Sequence, residues 1–524
     1  MSIFDFVKVP FRKKCVQNMS YPSVLTCDMG YLVPFTCQEV IPNDKWSFEA
    51  DVLVRLAPQL APFFAEVNVE LFYFFVPNRI LMDGDNWYDF IYGGKDGQSS
   101  IAKPLITIGA DNTGPGTLAD YLNFPTLTGD YTYDVDALPF RAYNKIFNDW
   151  FRDENLVDEI PTSTASGLDT TTSTVLLKSS WEKDYFTSAL PFPQRGPEVT
   201  LPLGDTAQVK GNTSSTVDPS ELTKTSIYND QGGRISSSTN PLPLGVNQSG
   251  GMIVGNGANP GFASSANLSL YADLSEASAA SIPQIRTAFQ LQKWYERNAR
   301  FGYRGVEATA SHFGIRPPDY RVQRSEFLYS KKMPIITSEV LQTSSTDSTS
   351  PQANMSGHSF TAFGTNRKVR TFVDHGWLIG IMRILPRTMY YQGIPRKYTR
   401  SSRFDYAWCE FEHVGEQEIK NKEVYANTDN PDGVWGYQGR FQEYRQNSGE
   451  VHGDFRTSLD YWHMARKFSK FPVLNGDFVT SDPTKRIFAV EDENVHSCWV
   501  QVNNRLFAKR VLSKRGEPGF IDHN

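Results

Sequence analysis

The chain has 524 residues, of which 13% are aromatic and 21% are charged, and its formal net charge is −6. This composition is typical of a globular protein, and the length suits several average domains or one scaffold with large insertions. The acidity excludes a protein that coats nucleic acid by itself, because phosphate neutralisation supplies most of that affinity. Membrane insertion is not expected either, since no apolar run approaches the ~20 residues of a spanning helix.

Residues 1–44 are predicted to form an extended N-terminal arm, because prolines interrupt the segment before an element can grow. These prolines are Pro10, Pro22, Pro34 and Pro42. The segment also carries a basic cluster, Arg12, Lys13 and Lys14. The cluster can be interpreted as a phosphate contact or as a solvated charged face. It follows the apolar residues of the N-terminus, the reverse of a signal peptide, so synthesis in the cytoplasm is expected.

Two strongly patterned strands follow the arm and define the fold class. In Lys45–Leu56 apolar residues alternate with polar ones, which is typical of a half-buried strand. In Glu66–Pro77 one face is apolar throughout, while the other begins polar and becomes apolar. That change predicts a strand that leaves a surface and enters the space between two packed sheets. We therefore infer a mainly β protein, a β-sandwich with long excursions.

Two helices are predicted among the excursions. In Leu138–Leu156 large apolar residues recur at i, i+3, i+4, i+7 and i+8, a stripe that must be buried. Ile282–Arg300 has a second one-sided stripe. Between them, Gly211–Ser281 has few aromatic or basic residues and cannot bury a core of its own. This stretch is either a linker or an exposed excursion that neighbours order.

The second half of the chain contains further predicted elements. Apolar runs indicate strands, and one periodic stretch indicates a short helix. The strands are Thr371–Leu385, Phe404–His413, Arg486–Val490 and Cys498–Phe507, and the helix is Leu459–Phe468.

No pattern of catalytic, cofactor-binding or metal-binding residues is found. Cys409 and His413 are four apart in a predicted strand, ~13 Å along one face and too far apart to share a zinc ion. The acidic residues Asp405, Glu410 and Glu412 could serve a glycosidase on a β-sandwich, but we prefer solvated strand residues. The five cysteines are odd in number and lack CxxC spacing, so reduced thiols are expected.

The C-terminal tail is the strongest candidate for a binding segment. Between residues 505 and 515 basic residues alternate with apolar ones, and no acid occurs. The basic residues are Arg505, Lys509, Arg510, Lys514 and Arg515. Such a segment could follow a single strand of nucleic acid by charge and stacking. It could equally line a subunit interface, where arginine is favoured.

Several stretches together resemble the major capsid protein of the Microviridae, in particular its gokushovirus-like branches. The resemblance runs over nearly the full length and is specific as an ordered set. It is carried by CDMGYLVPFTCQEVIPND (27–44), LVRLAPQLAPFF (53–64), YFFVPNRI (73–80), FRAYNKIFNDWFRDENL (140–156), DYFTSALPFPQRG (184–196), AFQLQKWYERNAR (288–300), DHGWLIGIMRILPRTMYYQGIPR (374–396), HVGEQEIKNKEVYA (413–426), GYQGRFQEYR (436–445), FRTSLDYWHMARKF (455–468) and DPTKRIFAVED (482–492).

The resemblance implies a single eight-stranded antiparallel jelly-roll β-sandwich over residues 45–524, with long loop insertions and a few helices. Copies of the chain would form an icosahedral (T=1) shell around a circular single-stranded DNA genome on its inner surface. A variable insertion, about 205–281 here, would form threefold protrusions that meet a host receptor. The other implied partners are a small basic DNA-packaging protein and a minor pilot protein. The protein would be found in the virion, assembled in the bacterial cytoplasm.

One rival hypothesis belongs to another functional class. A jelly-roll carbohydrate-binding or carbohydrate-active phage decoration protein would share the sandwich. It would need a cleft of aromatic and carboxylate side chains on one sheet face, and the sequence names no such cluster.

Overall fold

The computed structural model describes residues 14–199, 282–301, 304–341, 343, 354–490, 492 and 494–513, together with the backbone of six short strands between 208 and 273. The chain divides into two compact units. One consists of Met1–Arg195 and Glu296–Asn524, and the other is Gly196–Tyr295. No helix among the described residues has the length and apolarity to cross a membrane.

Eleven strands of the larger unit form two antiparallel sheets. They are β1 (Cys15–Asn18), β2 (Tyr21–Cys27), β3 (Val33–Val40), β4 (Lys45–Leu56), β5 (Val67–Pro77), β6 (Glu326–Pro334), β7 (Ile336–Leu341), β8 (Met355–Gly364), β9 (Lys368–Thr371), β10 (Gly376–Pro386) and β11 (Cys498–Arg510).

The larger sheet has seven strands in the order β1-β11-β4-β8-β7, with β2 also paired to β11 and β9 to β4. Its centre is the pair of β11 and β4, in register from Cys498 opposite Leu56 to Lys509 opposite Lys45. The predicted alternation of β4 is confirmed, because every second residue from Trp46 to Leu56 is buried. The larger sheet therefore has one core face and one outer face.

The smaller sheet has the order β6-β5-β10-β3, and its central strand β5 is buried on both faces. The predicted strand is confirmed from Val67 onward, but two of its polar residues, Asn68 and Glu70, are buried, and only Glu66 before it is exposed. Glu70 accepts a hydrogen bond of 2.7 Å from Arg383 Nε and forms an ion pair of 3.4 Å with Lys332. Local partners thus let a carboxylate lie in a covered strand.

The main core lies between the two sheets. Trp46 and Phe48 of β4, Tyr73 of β5 and Val502 of β11 belong to one buried cluster. The Phe48 and Tyr73 ring centroids are 4.8 Å apart. Alternating apolar residues on both sheets supply this core, as in other sandwiches.

Helices and loops cover the other face of the smaller sheet. Phe74 and Ile379 of that sheet pack with Phe140 and Tyr143 in a second buried cluster.

The predicted helix Leu138–Leu156 is shorter, because it ends in a π-helical turn, Phe147–Phe151. The helices are α1 (Asn78–Leu81), α2 (Gly84–Tyr92), α3 (Leu118–Tyr121), α4 (Leu138–Ile146), α5 (Ile282–Phe301), α6 (Gly305–Phe313), α7 (Asn421–Val424) and α8 (Gly476–Val479).

Short strands complete the two units. In the larger unit Leu105–Ile108 pairs with Tyr133–Asp136 and Leu168–Asp169, and Glu416–Lys420 pairs with Val434–Gly439. In the smaller unit each strand pairs with another strand of that unit. These pairs are Gln208–Asn212 with Ser269–Asp273, Tyr228–Asn229 with Pro260–Gly261, and Leu244–Val246 with Met252–Val254.

The prediction that prolines keep the first 44 residues free of elements is wrong. Three strands, β1, β2 and β3, form there. Pro22 lies in β2, whose one partner among the described strands is β11, and Pro34 lies in the edge strand β3 beside a register shift. An edge strand or a bulge tolerates a residue without an N–H group.

Three predictions in the second half are also wrong. Phe404–His413 forms two 3-10 turns, Arg403–Asp405 and Cys409–Phe411, instead of a strand. Leu459–Phe468 contains only the 3-10 turn Asp460–Trp462, and Arg486–Val490 is a turn with one isolated bridge, Gln59 to Phe488. Short apolar runs do not distinguish a strand from a loop that packs aromatic residues. The strand predicted at Cys498–Phe507 is confirmed and reaches Arg510, whereas Thr371–Leu385 is divided into the end of β9 and β10.

Candidate nucleic-acid interface

Arg510, at the end of β11, is bound within the fold rather than presented to solvent. Its Nε donates a hydrogen bond of 2.7 Å to Asp44 Oδ2, and its Nη2 donates one of 2.6 Å to Glu39 O. Its guanidinium lies 5.1 Å from the Trp46 ring centroid. Asp44 is fully buried, so the arginine compensates a buried charge at this end of the sheet.

Arg505 and Lys14 also have partners in the chain. The Arg505 guanidinium forms ion pairs with Asp51 and Glu49 on the neighbouring strand β4. Lys14 Nζ donates to Asn43 O at 2.6 Å and to Asn43 Oδ1 at 2.5 Å. Arg505 is exposed and Lys14 is half-buried, so the ion pairs of Arg505 exchange readily with solvent and salt.

Lys509 is the predicted basic residue whose charge is left uncompensated by the described part of the chain. It is exposed and lies directly opposite Lys45 of β4 in the sheet register. Two like charges on one face favour an anionic partner. Sequence reasoning missed Lys45, although its place in the polar half of the β4 alternation puts it on that face.

Four of the predicted residues, Arg12, Lys13, Lys514 and Arg515, lie outside the described residues. Lys14, Lys509 and Arg510 lie at one end of the larger sheet, because β1 pairs with the end of β11, whereas Arg505 lies further along β11 opposite Glu49. The prediction of nucleic-acid contact at these eight positions therefore stays a prediction.

The rival chemistry finds little support in the described residues. No group of three or more potential metal ligands occurs among them. Cys409 and His413 belong to a turn, which overturns the strand geometry used for them but leaves them without a third ligand. Hydrogen bonds from the Ser402 and Ser401 backbone lower the pKa of Asp405, which is the opposite of what a general acid needs.

The cysteines are free thiols, and two of them lie opposite each other. Cys27 of β2 and Cys498 of β11 are register partners and are both buried. The hydrogen bond to Cys498, together with burial, raises the pKa of the Cys27 thiol well above its usual range. Cys27 is therefore held as a neutral thiol in the core.

Comparison with known proteins decides the class of the molecule. A family model described as capsid protein (F protein) matches residues 8–520. The chain belongs to this capsid protein family of the Microviridae. The match covers far more than half of the chain and includes both sheets.

Three viral capsid proteins are similar to this family member over most of their lengths. Capsid protein VP1 of Chlamydia phage 1 is 33% identical, over 94% of this chain and 93% of the relative. VP1 of Bdellovibrio phage phiMH2K is 35% identical over 90% and 89%, and VP1 of Spiroplasma virus 4 is 31% identical over 89% and 87%.

The predicted resemblance is thereby confirmed. The protein is a major capsid protein of small single-stranded-DNA phages and a component of the virion. It is a structural protein rather than an enzyme, which overturns the carbohydrate-active hypothesis. A capsid protein assembles with copies of itself, so surfaces that lack partners in one chain become candidate contacts.

Proposed function

We propose that the chain builds a closed icosahedral T=1 shell from jelly-roll subunits around a circular single-stranded DNA genome. The strand order carries this proposal. Eight strands alternate between two sheets, in the orders β2-β11-β4-β8 and β3-β10-β5-β6. This is the order expected of two interlocked Greek keys. A rigid sandwich of this kind suits a wall-forming subunit.

The acidic net charge of −6 supports a separate packaging partner. Phosphate neutralisation needs many cations, and the acidic residues of the chain outnumber its basic ones, 58 against 52. We therefore propose that a small basic protein shares the DNA contacts on the inner surface. A minor pilot protein is proposed on the family resemblance alone.

The insertion at about 205–281 is proposed to form threefold surface protrusions that contact a host receptor. It overlaps the compact unit Gly196–Tyr295, whose strands pair among themselves. A segment with its own hairpins can vary without changing the registers of the two large sheets. Loops carried on a rigid scaffold are the usual place for recognition.

Deletion of residues 211–281 tests the attachment role. The altered genome is introduced by transfection, which bypasses adsorption, and the released particles are imaged and counted by their DNA. We expect closed particles of normal yield that adsorb poorly to fresh cells, with unaltered particles from the same host as the control. Normal adsorption would overturn the attachment role, and an absence of closed particles from the unaltered chain would overturn the shell.

A further inference from the structure

The outer face of the larger sheet carries aromatic and basic side chains in one row across three strands. Phe360 of β8 is the register partner of Arg55 of β4, and Arg55 is the partner of Trp499 of β11. Register partners point to the same face. Phe360 and Trp499 are 47% and 44% exposed, and Arg55 is exposed between them. The two rings are thus separated by two strand spacings, roughly 10 Å.

The same face continues along β11 with polar and basic groups. Gln501, Asn503, Arg505, Phe507 and Lys509 alternate with the buried residues of this strand and are all exposed. Amides, a third aromatic ring and a cation therefore lie along one line from Trp499. Aromatic faces interleaved with cations are the usual surface for single-stranded nucleic acid.

Three cations on this face have no acidic partner in the described part of the chain. These are Arg55, Lys45 and Lys509, all exposed. The two acids on the face, Glu49 and Asp51, are paired with Arg505. The face thus offers free positive charge on a chain that is acidic overall.

The rest of the larger unit indicates which way this face points in a shell. Helices and loops cover the opposite side of the sandwich, where Phe74 and Ile379 pack against Phe140 and Tyr143. A closed shell has more area at its outer radius than at its inner one. The thick, covered side fits the outside, which leaves the outer face of the larger sheet toward the genome.

We propose that this face binds the single-stranded DNA genome, an inference that rests on the proposed shell. Bases stack on Trp499 and Phe360, the Arg55 guanidinium lies between the two stacked bases, and Lys45 and Lys509 neutralise phosphates. A second copy of the chain is the less favoured occupant, because an apposed copy would bury these cations without partners.

Photocrosslinking of intact, DNA-filled particles tests the location. Particles are irradiated at a wavelength that nucleobases absorb, digested with protease and nuclease, and searched by mass spectrometry for nucleotide adducts. We expect adducts on the peptides that contain Trp499 and Phe360. Tyr92 is exposed at the end of α2, a helix whose Trp87 packs in the buried cluster of the covered side; it serves as the control and should carry none. Adducts confined to other peptides would overturn the proposal.

Binding of a 20-nucleotide oligothymidylate to dissociated subunits tests the mechanism. Stacking of a base on one aromatic ring contributes strongly to affinity, so Trp499→Leu should weaken binding about tenfold. Trp499→Phe keeps an aromatic ring and should restore most of the lost affinity. Lys509→Gln should remove one phosphate contact and so reduce the slope of log K against log salt by about 0.7. Lys470→Gln, at another exposed lysine, is the control and should leave the slope unchanged.

The outcomes separate this inference from the shell itself. Unchanged affinity and salt slope in both variants would overturn the proposal even if particles form. The proposal would also be overturned if, in the particles, a second copy of the chain covers the outer face of each subunit's larger sheet. Failure of the unaltered chain to form closed particles would instead count against the shell, and is examined before any variant is compared.

Discussion

Arg141 and Asp169 form an ion pair whose two side chains are completely buried. Arg141 Nε donates to Asp169 Oδ2 at 2.7 Å, and its other nitrogens donate to the Leu81 and Ala165 carbonyls, each at 2.9 Å. Burial acts to raise the pKa of Asp169, but hydrogen bonds from Thr172 and Arg141 outweigh it and lower that pKa. The guanidinium joins α4 to the end of α1 and to the segment that contains Ala165 and Asp169, within the layer that covers the smaller sheet.

Removing the guanidinium should strongly destabilise the subunit. In Arg141→Met the Asp169 carboxylate stays buried without its partner, so the free energy of unfolding should fall by about 3–5 kcal/mol. Urea denaturation of dissociated subunits measures this loss. Arg387→Met removes an exposed ion pair with Glu66 and should cost less than about 1 kcal/mol. Equal losses for the two variants would contradict the burial argument.

His463 should make stability fall on acidification. It is buried, its Nε2 bonds to Phe455 O at 2.7 Å, and its Nδ1 accepts from Ala465 N at 3.1 Å. Burial, with the Arg486 guanidinium nearby, lowers the pKa of His463 although the bond to Phe455 opposes the shift. In the unfolded chain this imidazole takes up a proton as the pH falls through ~6.5, whereas in the folded chain it stays neutral to lower pH. The free energy of unfolding is therefore lost as the pH falls below ~6.5.

Chemical denaturation between pH 8 and pH 5 tests this slope. His463→Gln should flatten it, whereas the same change at the exposed His413 is the control and should not. A slope that survives His463→Gln would assign the pH dependence to other groups, such as His375, whose pKa burial also lowers.

At the scale of elements, segments with strong hydrophobic periodicity had a secondary structure that could be predicted from the sequence. Short apolar runs did not. The bounds of Lys45–Leu56 are those expected, because apolar and polar residues that alternate over twelve positions fit a half-buried strand and not a helix. Phe404–His413 has similar apolar residues, yet it is held by contacts that the fold supplies: the Arg400 guanidinium lies 5.1 Å from the Tyr406 ring centroid, and the Tyr444 hydroxyl accepts from Ala407 N. The ion pairs of Arg505 with Glu49 and Asp51 join residues more than 450 positions apart. No local sequence pattern therefore predicts that the Arg505 guanidinium already has acidic partners.

The strands of the N-terminal segment give a sharp test at this scale. Deleting residues 1–27 removes β1 and β2, which cover the edge of β11 from Cys498 to Arg510. We expect this deletion to give insoluble or unfolded protein, because a long apolar edge is left open. Deleting residues 1–13 removes neither strand and should leave the thermal unfolding temperature of the subunit within a few degrees. Soluble, folded protein from the longer deletion would contradict the pairing.

At the scale of the molecule, exposed apolar side chains suggest where copies meet. Phe313 is 76% exposed at the end of α6, and Ile315 after it is 65% exposed. Large apolar groups exposed side by side usually mark an interface. Phe313→Asp should therefore block particle formation while the dissociated subunit keeps its unfolding temperature, and Phe313→Leu should assemble normally. Sedimentation separates particles from subunits, and normal particles from Phe313→Asp would place this patch away from any contact.

The position of β11 has a consequence for synthesis. This strand lies between β4 and the pair β1 and β2, so a sheet begun near residue 15 stays open until residue 510 has left the ribosome. At a translation rate of ~5–20 residues per second, the nascent chain lacks this central strand for many seconds. Completion of the larger sheet is thereby coupled to synthesis of β11, and nascent chains that lack this strand cannot yet assemble with copies of the subunit.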